Sequence, residues 1–263
     1  MTGLDPDGFD PSVPSVARMY DFALGGKDNF AADREAAQKI RLAAPDAFDV
    51  AFDNRRFLKR AVRWAVRNKI LQFIDIGSGL PTTENTHQVA QELDETARVA
   101  YVDNDPMVVI HAKTILAKRP YGVVAVHGDL REPQKILEDP ALRKCIYFGS
   151  PVAVVLVAVL HFLDDAEAYK VVECVKQEMP KGSCLIISHA TAEDATEHER
   201  GVIGREYDQA GAPLTMRTLD QVQRFFAGLE LAGPGVADIN EWPDKQRVDK
   251  PRTACYGGVG IKA

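Results

Sequence analysis

From Ile70 onward the chain alternates short apolar runs with amphipathic stretches, and that alternation leaves few folds open to it. Apolar runs at Ile70–Ile76, Val99–Val102, Val123–Val126, Pro151–Val157 and Ser183–Ser188 read as strands. Between them lie helical segments, from about Thr83 to Leu93, from Pro106 to about Lys118, near Pro133–Lys144 and over Asp165–Met179. Strands and helices in this order form right-handed βαβ units, and so a parallel sheet covered on both faces. Phe73–Ile76 and Val152–Val157 are apolar almost throughout, which places them at the sheet centre, where both faces are buried. Beyond the fifth strand a polar helical stretch spans roughly Asp194–Ala210. Thr218 and Gln221 then form a capping box for a helix reaching about Ala227, and Ala254–Ile261 reads as a last strand.

The chain ahead of the sheet is different. Residues 1–14, rich in Gly, Pro and Asp, predict a loose tail. Val16, Met19, Tyr20, Ala23 and Leu24 make the stripe of a short helix, with Ser15 as its cap and Gly25-Gly26 as its end. Further helices are expected over about Ala31–Leu42 and Asp46–Asn68. The organisation is therefore a helical extension, 1–68, and a sheet domain, 69–263.

Lys+Arg 32 against Asp+Glu 38 gives a net charge of −6 without a long basic run, which argues against a nucleic-acid partner. Cys145, Cys174, Cys184 and Cys255 show no C-x-x-C spacing and read as buried, inert thiols. The first thirty residues lack a basic stretch followed by an apolar one, and the longest apolar run, Pro151–Leu160, is about half a membrane span. A soluble, cytoplasmic protein is expected, with no membrane partner.

In an open parallel sheet, ligands bind at the carboxyl ends of the strands, where the strand order reverses. The first strand runs into Asp75-Ile-Gly-Ser-Gly-Leu-Pro-Thr82, whose Gly77 and Gly79 permit a tight turn, with Ser78 between them, and let a ligand approach the backbone. Pro81 is expected near the first position of the next helix, whose N-terminus offers N–H groups to an anion. The second strand ends at Asp103-Asn104, with Asp103 placed to accept hydrogen bonds from a ribose diol. The third ends at Gly128-Asp129-Leu130. A dinucleotide site favours a third glycine where this chain has Thr82, and Asp75 is a poor neighbour for a pyrophosphate. S-adenosylmethionine, with an ammonium, a sulfonium, a ribose diol and an adenine amine, matches three acidic loops better than NAD does.

These motifs resemble the successive cofactor motifs of class I S-adenosylmethionine-dependent methyltransferases. Together with Pro14–Phe30, Tyr101–Pro106, Ala158–Phe162, Ser188–Ala190 and Tyr256–Gly258, they resemble one actinobacterial methyltransferase family, long labelled a domain of unknown function. The resemblance implies a Rossmann-like α/β fold with a seven-stranded, mostly parallel sheet and an N-terminal helical extension. It also implies S-adenosyl-L-methionine as cofactor. Asp75 would then face the methionine amino group, Gly77 and Gly79 the methionine moiety, and Asp103 the ribose. Asn104 would lie near the adenine, with Asp129 and the Leu130 N–H meeting its edge.

Methyl transfer from a sulfonium is an in-line displacement, so a base is needed only for a protonated, weakly nucleophilic acceptor. His161, after the fourth strand, is a candidate base or pocket-wall residue, or else a structural ring against the cofactor. His189, after the fifth strand, is a second candidate. Around Gly25-Gly26, Arg18 or Asn29 could hold the methionine carboxylate and Tyr20 could line an acceptor pocket, the segment acting as a lid. A helix covering the sheet edge with solvated charges explains the same residues. Asn54 and Arg55 either point into the site or lie on a solvated face. No histidine pair has metal-ligand spacing, so no metal is expected. Transfer to O, N or C of a small molecule, such as a natural product, is the leading reading. A non-catalytic module that senses S-adenosylmethionine is the alternative. A cavity beside the methyl group lined by Tyr20 and His161 would favour the enzyme. The oligomeric state, dimer included, is left open.

Overall fold

The computed structural model describes residues 10–81, 84–116, 122–243 and 253–263; the first nine residues of the expected tail, Thr82, Thr83 and Lys118 lie outside them. Three helices open the chain, α1 (Val16–Ala23), α2 (Ala31–Ala43) and α3 (Ala47–Arg67). The alternating region follows as β1 (Gln72–Ile76), α4 (Thr86–Leu93), β2 (Arg98–Asp103), α5 (Pro106–Leu116) and β3 (Val123–His127). It continues through α6 (Pro133–Glu138), α7 (Pro140–Cys145), β4 (Ala153–Val157), a 3-10 turn at Leu160–Phe162, α8 (Asp165–Glu178) and β5 (Cys184–Ala190). The last part carries α9 (Glu197–Gln209), α10 (Leu219–Arg224), β6 (Glu230–Leu231), β7 (Ala237–Asp238) and β8 (Cys255–Ile261).

Two local departures from the sequence reading have clear causes. The single helix expected near Pro133–Lys144 is two, because Pro140 cannot donate to the helix before it. Asp139 restarts the chain as a cap, its Oδ1 accepting from the N–H groups of Ala141 at 2.8 Å and Leu142 at 3.0 Å. Helix α4 begins at Thr86, so Pro81 lies ahead of it rather than at its first position. The Thr218 box is present, with the Gln221 N–H donating to the Thr218 hydroxyl.

The strand order is β3-β2-β1-β4-β5-β8-β6, with β7 also on β8. Strands β1 to β5 are parallel, and β8 runs antiparallel to β5, Cys184 facing Ile261 and Ala190 facing Cys255. Among the described residues the sheet has eight strands rather than seven, because its outer position is divided. Strand β6 pairs with the Gly260–Ile261 end of β8 and β7 with its Tyr256–Gly257 end. Gly233-Pro234-Gly235 separates them, and Pro234 has no N–H to give a ladder. The central β1 and β4 are the strands at which the order reverses.

Side-chain alternation sorts the core onto two faces. Ile74, Ile76, Val102, Val154, Leu156 and Ile187 face α8 and α10. Phe73, Val99, Val155, Ile186 and Val259 share a cluster with Phe57, Leu58, Ala61 and Ala65 of α3. The packing of α3 is tight: a Cβ on Gly257 of β8 would meet Phe57 Cζ at 2.8 Å. Helix α3, grouped by sequence with the extension, thus shares the core of the sheet. All four cysteines are buried, as expected. Among the described residues no helix is long and apolar enough to cross a membrane.

Helices α1 and α2 form a smaller cluster in which Met19, Ala36, Ala37 and Ile40 meet Phe48, Ile203, Tyr207 and Ala210. Asp33, fully buried, is its polar centre. Its Oδ1 accepts from the Ser15 N–H at 2.8 Å, and its Oδ2 from the Phe30 N–H and Arg18 Nε, each at 2.8 Å. The Ser15 hydroxyl does not cap α1 but donates to Asp105 Oδ2 at 3.1 Å, joining the extension to the loop after β2.

Candidate active site

At the carboxyl edge of β1 the chain enters a left-handed conformation at Gly77, with φ +72°, where a Cβ would lie 2.4 Å from Val159 Cγ2. Only glycine fits such a turn against β4's loop without displacing that neighbour. The Gly77 N–H donates to the Val102 carbonyl at 2.8 Å, and the Gly79 N–H to Asp103 Oδ2 at 2.9 Å. Asp103 Oδ1 accepts from the Asp105 N–H at 3.0 Å. Each oxygen therefore keeps acceptor capacity for a further donor. Burial pushes the Asp103 carboxyl above its usual range, against the backbone N–H groups of Asp105, Gly79 and Asn104 that lower it.

Asp75 lies on the α3 side of β1, buried, with Oδ2 accepting from Thr86 Oγ1 at 2.6 Å. Burial pushes its pKa up to about 6, the Thr86 bond and the Arg55 charge opposing and the Asp103 charge adding to the rise. A carboxylate held in this way gains most from a cation brought into contact with it. Ser78 and Asn104 line the same cavity. So does Asp129, whose Oδ1 accepts from the Arg131 N–H at 2.8 Å, and Leu130 lies buried beside it.

These residues border a cavity of about 450 Å³ that continues beneath α1, α2 and α9. Tyr20 and His161 both line it. The Tyr20 hydroxyl donates to the Ala51 carbonyl and accepts from Asn54 Nδ2, each at 3.1 Å. Asn54 Oδ1 in turn accepts from the Ser188 hydroxyl at 2.6 Å. Tyr20 is thereby tied through α3 to the end of β5. Ala158, also on the cavity wall, has φ +55°, a strained backbone for a residue other than glycine.

The structure does not bring every sequence candidate to this wall. Arg18 is buried against Asp33 and donates from its second guanidinium nitrogen to the Val13 carbonyl at 2.6 Å. Asn29 donates to Asp21 Oδ2 at 2.8 Å and to the Gly26 carbonyl at 3.1 Å, closing the turn after α1. Both organise the extension itself. His189 is buried behind the wall, its ring centroid 5.4 Å from that of His161. An arginine only donates, so the 2.8 Å contact of Arg217 with His189 Nε2 makes that nitrogen an acceptor. The proton sits on Nδ1, which donates to the Ala190 carbonyl at 2.7 Å. Burial lowers the His189 pKa to about 4. His161 Nδ1 accepts from the Ala190 N–H at 3.4 Å, and burial, with His189 and Arg217 nearby, holds its pKa well below the usual value.

The profile of a family described as S-adenosyl methyltransferase matches residues 3–263. The chain belongs to that family. A crystal structure of a DUF574-family protein from Streptomyces avermitilis MA-4680 is 37% identical, covers 97% of this chain and 99% of its own, and superposes with a TM-score of 0.90. A candidate methyltransferase from Thermobifida fusca YX is 36% identical over 98% of both chains, with a TM-score of 0.89. The mitomycin 7-O-methyltransferase MmcR, 14% identical with a TM-score of 0.51 over 86% of this chain and 60% of its own, shares the fold. No curated protein matches the chain in sequence.

The protein is thus an S-adenosylmethionine-dependent methyltransferase, and its cavity suits that cofactor. Among the described residues the buried Asp75 carboxylate has no ion pair and accepts from the Thr86 hydroxyl, and Gly79 opens on free space where a Cβ would meet nothing within 4 Å. Two further cavity residues of the methyltransferase were weakly signalled by sequence. Arg55 of α3 was indistinguishable from a solvated helix position. Tyr207 of α9 lay in a stretch read only as polar, yet it is buried enough that its pKa rises to about 12.

Proposed function

We propose that the methyltransferase acts on a small, uncharged and largely apolar acceptor. The observation that carries this reading is the wall of the cavity away from the acidic loops. Met19, Ile40, Phe48, Phe162 and Tyr207 supply it from five different elements. Phe162 and Tyr207 are adjacent, with ring centroids 5.7 Å apart. A charged acceptor would lose its hydration there without a compensating partner.

Bound S-adenosylmethionine supplies a methyl group already activated by its sulfonium. The residues of this chain bind, orient and exclude water. Asp75 takes the ammonium, Gly77 and Gly79 admit the methionine chain, and Asp103 accepts from the ribose hydroxyls. Asn104, Asp129 and the Leu130 N–H meet the adenine. Helices α1 and α2 act as a lid, α1 contributing Met19 and Tyr20 to the wall.

With Nδ1 engaged by the Ala190 N–H, the His161 proton resides on Nε2, so a neutral His161 presents a donor and not a base. His161 then orients the acceptor. The acceptor must supply its own neutral nucleophile, as the free base of an amine or an enolic carbon does. Transfer from S-adenosylmethionine labelled in its methyl group, offered to mixtures of neutral aromatic compounds and of charged metabolites, tests this. Label is expected in the neutral mixture, with a pH dependence, at saturating S-adenosylmethionine, set by the acceptor and not by a group near pH 6.5, the ordinary histidine range. Label confined to charged metabolites would contradict it.

A further inference from the structure

The amino-acid end of the cofactor is a zwitterion. The cation has its partner in Asp75, but the carboxylate needs an anion site that the sequence reading placed on Arg18, on Asn29 or on the helix after Gly79. Arg18 and Asn29 are committed within the extension. Helix α4 starts only at Thr86, and the His87 N–H already donates to the Tyr101 hydroxyl at 2.8 Å. Among the described residues, that leaves the anion to another group.

Arg55 stands apart from Arg56, Arg60 and Arg63 on the same helix. Arg56 pairs with Asp53 at 3.2 Å, Arg60 Nε donates to the Trp242 carbonyl at 2.7 Å, and Arg63 pairs with Glu92 at 3.2 Å. Arg55 Nε is buried and has no hydrogen-bond partner among the described residues. The side chain is half-buried and lines both the main cavity and a smaller recess that adjoins it, formed with Asp75, Ser78, Gly79, Thr86 and Tyr101. Its guanidinium carbon lies 5.7 Å from the centroid of the Tyr20 ring, and its charge is felt at Asp75. A buried donor left unsatisfied is costly, and a guanidinium fork matches a carboxylate in both geometry and charge.

We propose that Arg55 is the anion-binding residue of this site and holds the methionine carboxylate of the cofactor, opposite the ammonium held by Asp75. The proposal rests on the cofactor-site reading above. It makes the pair Asp75 and Arg55 a recognition element for an α-amino acid end, supplied jointly by the sheet and by α3.

The test compares two ligands that differ only in the carboxylate, S-adenosylmethionine and decarboxylated S-adenosylmethionine, by calorimetry. Wild type is expected to prefer the carboxylated ligand about 10- to 100-fold, the range of a charge-assisted hydrogen-bonded pair. Arg55→Gln is expected to bind the two ligands alike, the ratio of their affinities falling to about one, and Arg55→Lys to regain part of the preference. An equal weakening of both ligands in Arg55→Gln would assign the residue to bracing Tyr20 and overturn the proposal. So would retention of the wild-type preference. Failure of wild type to bind either ligand would overturn the cofactor-site reading, and the proposal with it.

Discussion

Replacing Asp75 by asparagine is expected to stabilise the ligand-free protein above pH 6 and to weaken S-adenosylmethionine binding about 100-fold, the scale of a lost buried ion contact. The Asp75 carboxyl is buried, and burial lifts its pKa from 3.8 to about 6. In the unfolded chain the group ionises near its ordinary value, whereas in the folded protein it keeps its proton until about pH 6. Between those values the folded state binds more protons, so stability falls as pH rises through the window. Above it the folded protein carries the whole penalty, about 2–3 kcal/mol for a shift of roughly two units. The asparagine side chain carries no charge and retains an acceptor for the Thr86 hydroxyl, so the penalty disappears while the local bond can persist. Thermal unfolding between pH 4 and pH 8 should separate the two proteins progressively above pH 4 and leave them alike below it. The wild-type affinity for cofactor should also fall below pH 6 as Asp75 is protonated. Equal melting curves across that range would mean that Asp75 is not a strained, cation-seeking carboxylate.

Asp33→Ala is expected to cost the α1–α2 unit about 3–5 kcal/mol, the range seen when one member of a buried ion pair is removed. Asp33 accepts three hydrogen bonds, from the Ser15 and Phe30 N–H groups and from Arg18 Nε. Those bonds fix the start of α1, the start of α2 and the angle between the helices. Hydrogen exchange should accelerate in α1 and α2 while the amides of β1 and β4, in the sheet centre, remain protected. Arg18→Met combined with Asp33→Leu should recover much of the loss, since a well-packed apolar pair can replace a buried ion pair. Unchanged protection in the single variant would show that the extension is held by its apolar cluster alone. The same experiment with cofactor present reads whether α1 closes the site, as Met19 and Tyr20 on the cavity wall imply.

The sheet centre was readable because its strands carry their own signal. Phe73–Ile76, apart from Asp75, and Val154–Leu156 send apolar side chains to both faces, and no helix of such composition would end so abruptly at Gly77 or Ala158. The divided outer strand was not readable, since two residues such as Glu230-Leu231 have no period to detect. The acidic rim was legible for a related reason: Asp75 and Asp103 lie at the ends of β1 and β2 and Asp129 just after β3, and strand ends converge in this fold. Residues outside the strands were harder. Arg18 and Asn29 cluster near Gly25-Gly26 and resemble ligand contacts, but their partners Asp33 and Asp21 lie within the same extension. Arg55 and Tyr207 gave the opposite problem. Helical period assigns each a face, while the identity of what lies across from that face depends on how α3 and α9 pack. His189 needed knowledge of Arg217, which reaches it from the segment ahead of α10.

The most direct measurement is the binding of S-adenosylmethionine and S-adenosylhomocysteine to wild type and to Asp103→Ala by calorimetry. Asp103 joins the two halves of the argument, because its carboxylate braces the Gly79 turn and faces the cavity at the end of β2. Micromolar binding by wild type, weakened at least about tenfold in the variant, is the predicted result for a lost charge-assisted hydrogen-bonding partner. Wild-type affinity retained in Asp103→Ala, or no binding of either ligand to wild type, would contradict the placement of the cofactor at the carboxyl ends of β1, β2 and β3.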